Sequence, residues 1–162
     1  NIGYEYENIN LNTKNNKHFK VLSKKFDDKK VTFVNQSKLK TYMKLKYDKE
    51  LYRHPDEAYI IEYSTGKKCL KVIEKKNQMV DGSVEDKLLC ASTYKLEYIL
   101  SIDDDEWDVE YCLCVSSFLK KKITTETKKY KIWNKIWKKF NISIFYGEDS
   151  DYIVKINKWI HQ

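Results

Sequence analysis

The 162-residue chain contains one arginine, one proline, four glycines and three histidines. Each scarcity excludes something. No stretch has the proline, glycine or serine content of a linker or a low-complexity tract, and no repeat is present. The expectation is therefore a single domain over residues 1–162. The histidines, His18, His54 and His161, are scattered, and the four cysteines form only one close pair, Cys112 and Cys114. A structural zinc site wants four ligands, commonly as two close pairs. Reduced, buried thiols in a cytoplasmic protein are the simpler expectation. No apolar run is long enough to cross a bilayer and no signal-peptide pattern is present, so no membrane partner is expected. The acidic run Asp103–Glu106 lacks the alternating ligands and the glycine of a calcium loop, and reads as a solvated loop. The chain opens at Asn1 rather than at a methionine, as a trimmed or partial chain would.

What is present points to a folded domain with an anionic partner. Hydrophobic residues make up 41% and aromatics 14%, which excludes disorder. The length suffices to bury a core without staples. The net charge of +7 comes almost wholly from lysine and favours a polyanion.

Periodicity sets the expected elements. Within Asn1–Asp28, Phe19, Leu22 and Phe26 follow helical spacing, which predicts a short helix carrying Glu5 and Glu7, a loop over Asn12–Asn16, and a second helix to about Lys25. Lys30–Asn35 reads as a strand. Gln36–Lys46 reads as a helix with an apolar side (Leu39, Tyr42, Met43, Leu45) and a basic side (Lys38, Lys40, Lys44, Lys46). Two strand-like runs follow, joined by Ser64-Thr65-Gly66. Asp81-Gly82 turns the chain, and Ser83 with Asp86 caps a helix to about Leu100, burying Leu88, Leu89, Leu96, Ile99 and Leu100. Trp107–Leu119 is the most apolar run and reads as a central strand ended by Lys120–Lys122. A helix starting at Thr124 or Thr125 runs through Phe140. Its Tyr130, Trp133, Trp137 and Phe140 lie on one side and fit a core or a dimer interface better than a base-stacking face. Asn141–Tyr146 is a strand. A last helix, capped by Ser150 or Asp151, buries Tyr152, Ile153, Ile156, Trp159 and Ile160. This order fits an α/β fold with a mixed sheet and helices on both faces.

The chemistry concentrates between Pro55 and Lys87. The apolar run Cys69-Leu70-Lys71-Val72-Ile73 leads straight into Glu74-Lys75-Lys76-Asn77-Gln78. Strand period two puts Glu74, Lys76 and Gln78 on one face. Asp56, after the only proline, begins the preceding strand, and a hairpin at Gly66 lays that strand beside the second. Two carboxylates and an ammonium on neighbouring strands suit Mg²⁺ and a phosphodiester.

Asp56 followed by Glu74-x-Lys76, inside RHPDEAYI and IEKKNQMVDGSVEDKL, resembles the PD-(D/E)XK nuclease superfamily, and within it the type II restriction endonucleases. The similarity covers Arg53 to Leu100. It implies a restriction-endonuclease-like fold and Mg²⁺-dependent hydrolysis of double-stranded DNA by a homodimer, with a matching DNA methyltransferase as a possible companion enzyme. It makes Asp56, Glu74 and Lys76 catalytic, the first two as metal ligands beside the backbone carbonyl near Lys75. Lys76 would orient the attacking water, stabilise charge or act as base. Glu57 is an alternative to Asp56, Gln78 an auxiliary, and Glu7 a candidate distal ligand, because such nucleases often carry an acid on an early helix. Glu62 and Glu85 are weaker candidates, read as surface acids. Lys38, Lys40, Lys44, Lys46 and Arg53 are candidate DNA contacts, against the alternative of a solvated face. One arginine among many Asn and Lys residues favours an A·T-rich target. The competing readings are a structure-selective repair or junction nuclease on the same fold, and a DNA-binding module without turnover.

Overall fold

The computed structural model describes residues 3–9, 19–77 and 84–162. Among them are seven strands and six helices, and the strands form one mixed sheet in chain order, β1 to β7. By its contacts the chain divides into two compact units: Asn1–Val72 with Tyr98–Val109, and Ile73–Glu97 with Glu110–Gln162.

The first unit is built on an antiparallel meander. Strands β1 (Glu5–Ile9), β2 (Phe19–Lys25), β3 (Lys29–Asn35) and β4 (Glu57–Tyr63) pair in succession, with Glu7 opposite Val21, Leu22 opposite Phe33 and Thr32 opposite Ile60. Helix α1 (Leu39–Tyr47) links β3 to β4 and buries Leu39, Tyr42 and Met43 at helical spacing, while Leu45 stays exposed. The helices expected before Asp28 are strands instead. Val21 and Ser23 are buried with Leu22 between them only half-buried, which is period two, and Phe26 is exposed. Cross-strand pairing to β3 overrides the local spacing of Phe19, Leu22 and Phe26. The loop expected at Asn12–Asn16 lies outside the described residues.

Strand β5 (Lys68–Lys76) starts in the first unit and ends in the second. Beyond it, α2 (Val84–Leu89) and α3 (Ala91–Ile102) replace the single expected helix, with a break at Cys90. Leu88 is buried as expected. Leu96, Ile99 and Leu100 are exposed, and α3 turns Ala91, Ser92, Tyr98 and Ile102 inward instead. Ser83 falls outside the described residues.

Strand β6 (Trp107–Val115) stops four residues earlier than its apolar run suggests. Ser116, extended at φ −70°, occupies the N-cap of α4 (Ser117–Ile123), whose Leu119 and Ile123 are buried one turn apart. Lys120–Lys122 therefore form the last turn of that helix, where cations meet the negative end of its dipole. Helix α5 (Lys128–Lys139) buries Tyr130, Trp133 and Trp137 as an edge-to-face stack with centroids 5.4 and 5.9 Å apart. The Trp137 indole N–H donates to Leu88 O at 3.2 Å. These three rings are core, not an open face for a partner, whereas Phe140, expected on the same side, is the C-cap beyond the helix and is exposed. Strand β7 (Ile142–Tyr146) runs parallel to β6, and α6 (Tyr152–His161) buries Ile156, Trp159 and Ile160 but leaves Ile153 exposed. Cys69, Cys112 and Cys114 are buried, Cys90 is half-buried, and none of the four is in a disulfide. No helix among the described residues is long and apolar enough to cross a membrane.

Candidate active site

The hairpin between β4 and β5 closes as expected. Tyr63 N–H donates to Lys67 O at 2.9 Å, and Gly66 N–H to Tyr63 O at 3.0 Å. Gly66 sits at φ +90°, the left-handed position that such a turn requires. Pro55 is buried, Asp56 occupies the bend just before β4, and Glu57 is its first residue, opposite Asn35. Arg53, Asp56 and Glu57 are half-buried and belong to the first unit.

Glu74 and Lys76 belong to the second unit. The five residues Cys69–Ile73 are all buried, so β5 leaves the core at Glu74. Alternation then places Glu74 and Lys76 on one face and exposed Lys75 on the other. Lys76 Nζ donates to Glu74 Oε2 at 2.6 Å, with the side chains 20% and 15% exposed. The shared face read from the sequence is thus present as a close, half-buried ion pair. Gln78, the third residue expected on that face, lies outside the described residues. Lys71 is a fully buried charged residue in the middle of β5, which the reading of that run as simply apolar passed over.

Three strand ends meet beside this pair. Lys68 N–H donates to Glu106 O at 2.8 Å where β5 and β6 begin, and Ser116 N–H donates to Lys76 O at 3.2 Å where they end. The two strands therefore run in the same direction. Val115 stands level with Tyr146 on β7, and Gly147 N–H donates to Val115 O at 3.0 Å. Outside these carboxyl ends lies a crevice of about 250 Å³, with Lys75, Lys76 and Asn77 on one side and Ser116, Glu148 and Tyr152 on the other. Its far wall is tied down. Glu148 accepts from the Ser117 N–H at 3.2 Å and Asp149 from Lys120 at 2.6 Å. The hydrogen bonds from Ser117 hold the Glu148 carboxyl below its ordinary range. Crevices outside the carboxyl ends of strands are the common ligand seat of open α/β sheets. Sequence reasoning missed Ser116, Glu148 and Tyr152, which come together only through the sheet.

The other candidates are distributed as follows. Glu7 stands on β1 rather than on a helix. Its carboxylate pairs with Lys30 at 2.6 Å; burial alone would raise its pKa, but hydrogen bonds from Lys30 and Ser23 prevail and lower it. Lys38 is half-buried at the N-cap of α1, Lys40 donates to Tyr52 O at 3.3 Å, and Lys44 pairs with Asp48 at 2.9 Å. Lys46 turns inward: it donates to Glu62 at 2.8 Å and to the Tyr42 hydroxyl at 3.1 Å, with its ammonium 5.0 Å from the Tyr47 ring. The four lysines therefore do not form one solvated face, and Glu62 is an internal partner rather than a surface acid. Glu85 is also a partner: Lys122 and Lys129 hold its carboxyl down to about 2.

Among the described residues no three or more His, Cys, Asp or Glu side chains converge as a ready-made metal cluster. Mg²⁺ does not need one, because it is commonly held by one or two carboxylates plus substrate oxygens and water. A half-buried Glu74 carboxylate at the mouth of a strand end is a hard-oxygen donor of the right kind. Compared with known proteins, the chain matches no family model, no curated protein and no solved structure.

Proposed function

We propose that this protein is a Mg²⁺-dependent endodeoxyribonuclease acting on double-stranded DNA, a type II restriction-like enzyme. Its sheet would then be the restriction-endonuclease-like sheet with helices on both faces. The observation that carries the reading is the Glu74–Lys76 pair: a carboxylate and an ammonium 2.6 Å apart, two residues from each other, where β5 leaves the core beside a crevice. A solvated strand end would not keep both side chains four-fifths buried.

Asp56 and Glu74 would hold the metal, which supplies Lewis acidity and a more acidic bound water. Lys76 presents its N–H groups beside the Glu74 carboxylate, where it can orient a water or stabilise negative charge growing on a phosphate. In the metal-free protein its ammonium neutralises the carboxylate that would otherwise repel DNA. Cutting both strands calls for two such sites, so the working form is a homodimer on the two-fold axis of the duplex. A companion methyltransferase would protect the same target.

The test is incubation with long duplex DNA and Mg²⁺. Discrete fragments support sequence-specific cutting. A smear, or cutting confined to junctions, transfers the reading to a structure-selective nuclease on the same fold. Binding without cutting transfers it to a module that has lost turnover.

A further inference from the structure

We infer that the outer side of α5 is the surface that holds the duplex, with Lys128, Lys135, Lys138 and Lys139 gripping successive phosphates of one strand. The inference deepens the proposed function and rests on it for the choice of DNA as the polyanion.

Helical spacing builds the row. Lys128, Lys135, Lys138 and Lys139 stand at i, i+7, i+10 and i+11, on the side of α5 opposite Tyr130, Trp133 and Trp137, and all four are exposed. Helix α5 contains no acidic residue. Its other two lysines are engaged, Lys129 by Glu85 and Lys131 by Glu126 at 2.6 Å, and do not count towards the row. Among the described residues, the side chains of the four row lysines meet no carboxylate and no other hydrogen-bond acceptor, so their charge is uncancelled. Lysines on the other helices are neutralised instead: Lys46 by Glu62, Lys120 by Asp149 and Lys155 by Asp151. Fold stability does not account for the row. Lys138 and Lys139 suit the last turn of the helix, but Lys128 stands in the first turn, where the positive end of the dipole disfavours a cation, and Lys135 gains nothing from either end.

Three features choose the occupant. First, the row is a line of repeated point charges. From Lys128 to Lys138 it spans about 15 Å at 1.5 Å per residue, the axial length of about four phosphates of one DNA strand at 3.4 Å each. Second, lysine is depleted in protein–protein interfaces, which are anchored by aromatic, methionine and arginine side chains. Ile132 is the one large apolar side chain that α5 leaves exposed. Third, a helix that binds a membrane surface inserts its apolar side. That side of α5 is locked in the core, where the Trp137 indole N–H donates to Leu88 O at 3.2 Å. A lysine row of this kind holds phosphates and positions a duplex without reading its bases.

The experiment measures binding of a fluorescent duplex of about 20 base pairs over a salt series without divalent metal. Wild type is compared with Lys135→Gln, with a row variant (Lys128→Gln, Lys135→Gln, Lys138→Gln and Lys139→Gln together) and with a control that loses the same charge elsewhere (Lys25→Gln, Lys87→Gln, Lys121→Gln and Lys158→Gln together). All eight lysines are exposed and glutamine is a good helix former, so each variant keeps the fold. Lys135→Gln should weaken binding about tenfold near 0.1 M salt and reduce the slope of log affinity against log salt by about 1. The row variant should lose at least about a hundredfold and reduce the slope by about 3–4, and the control should change the slope by less than about 1. Equal losses in the row variant and the control would mean that only net charge matters and would overturn the inference, as would wild-type affinity and slope in the row variant. Tighter binding of wild type to mixed phosphatidylserine–phosphatidylcholine vesicles than to the duplex, lost in the row variant, would overturn it in favour of a membrane. Cleavage by wild type with Mg²⁺ is scored separately. Cutting by wild type together with undiminished binding by the row variant defeats this inference alone, row-dependent binding without cutting defeats the nuclease reading alone, and no DNA binding by wild type defeats both.

Discussion

Replacing Glu85 by glutamine removes the charge that clasps α2 to α4 and α5. In the native protein the Glu85 carboxylate accepts from Lys122 at 2.8 Å and from Lys129, whose ammonium also lies 4.8 Å from the Trp133 ring. Those lysines lower its pKa from 4.5 to about 2. At ~1.4 kcal/mol per pH unit, a clasp shielded from solvent would contribute about 3.5 kcal/mol. Glu85 is only 17% exposed, but Lys129 is 50% exposed, so solvent screens one arm of the clasp. The expected loss for Glu85→Gln at pH 7 is therefore about 1–2 kcal/mol. For a chain of this size that lowers Tm by about 3–6 °C. The pH dependence has a definite sign. A carboxyl whose folded pKa is depressed stabilises the fold fully above its unfolded pKa, and that contribution fades as pH falls from 4.5 towards 2. Urea titrations followed by tryptophan fluorescence at pH 7, 4.5, 3.5 and 2.5 check this, with m held as a control for compactness. The gap between wild type and variant should be widest at pH 7 and nearly closed by pH 2.5. Equal stability at pH 7, or a gap that persists undiminished at pH 2.5, would refute the clasp.

Gly66→Ala should cost about 1 kcal/mol by urea denaturation. Nothing lies within 4 Å of the added methyl, so the whole cost is the left-handed backbone at φ +90°, and a neutral result would mean that the turn relaxes. Lys46→Gln should lower stability by about 1–2 kcal/mol because it leaves Glu62 and Tyr42 without their shared cation, whereas Lys44→Gln should leave the thermal midpoint unmoved. If both lysines instead change only DNA affinity and its salt slope, the inward role of Lys46 is wrong.

The parts of the fold that were legible in the sequence are those set by local pattern. Lys30–Asn35, the β4–β5 hairpin and Asn141–Tyr146 were readable because period two and the Gly66 turn agree there. The same alternation put Glu74 and Lys76 on one face, and their ion pair follows from it. What escaped reading depends on partners distant in sequence. Phe19, Leu22 and Phe26 are spaced for a helix, yet β1 and β3 offer ladder partners on both sides of that segment, so it is a strand. Trp107–Leu119 is the most apolar run, but Ser116 can cap a helix, and Phe118-Leu119 belong to the next element. Leu96, Ile99 and Leu100 look like a buried stripe, but α3 is turned so that Tyr98 and Ile102 take the core. The crevice was invisible for a related reason: Lys75, Ser116 and Glu148 meet only because three strands end at one edge of the sheet.

The most direct test of the central claim is cleavage of linear duplex DNA by purified wild type, Glu74→Gln and Lys76→Ala, each with Mg²⁺, with Ca²⁺ and with excess chelator. The account predicts cutting only by wild type with Mg²⁺. It also predicts that Glu74→Gln binds metal more weakly, and that Lys76→Ala largely keeps metal binding because an ammonium is not a ligand. Asp56→Asn should match Glu74→Gln in both respects. Robust cutting by Glu74→Gln, or by wild type in excess chelator, would contradict it and move the chemistry elsewhere.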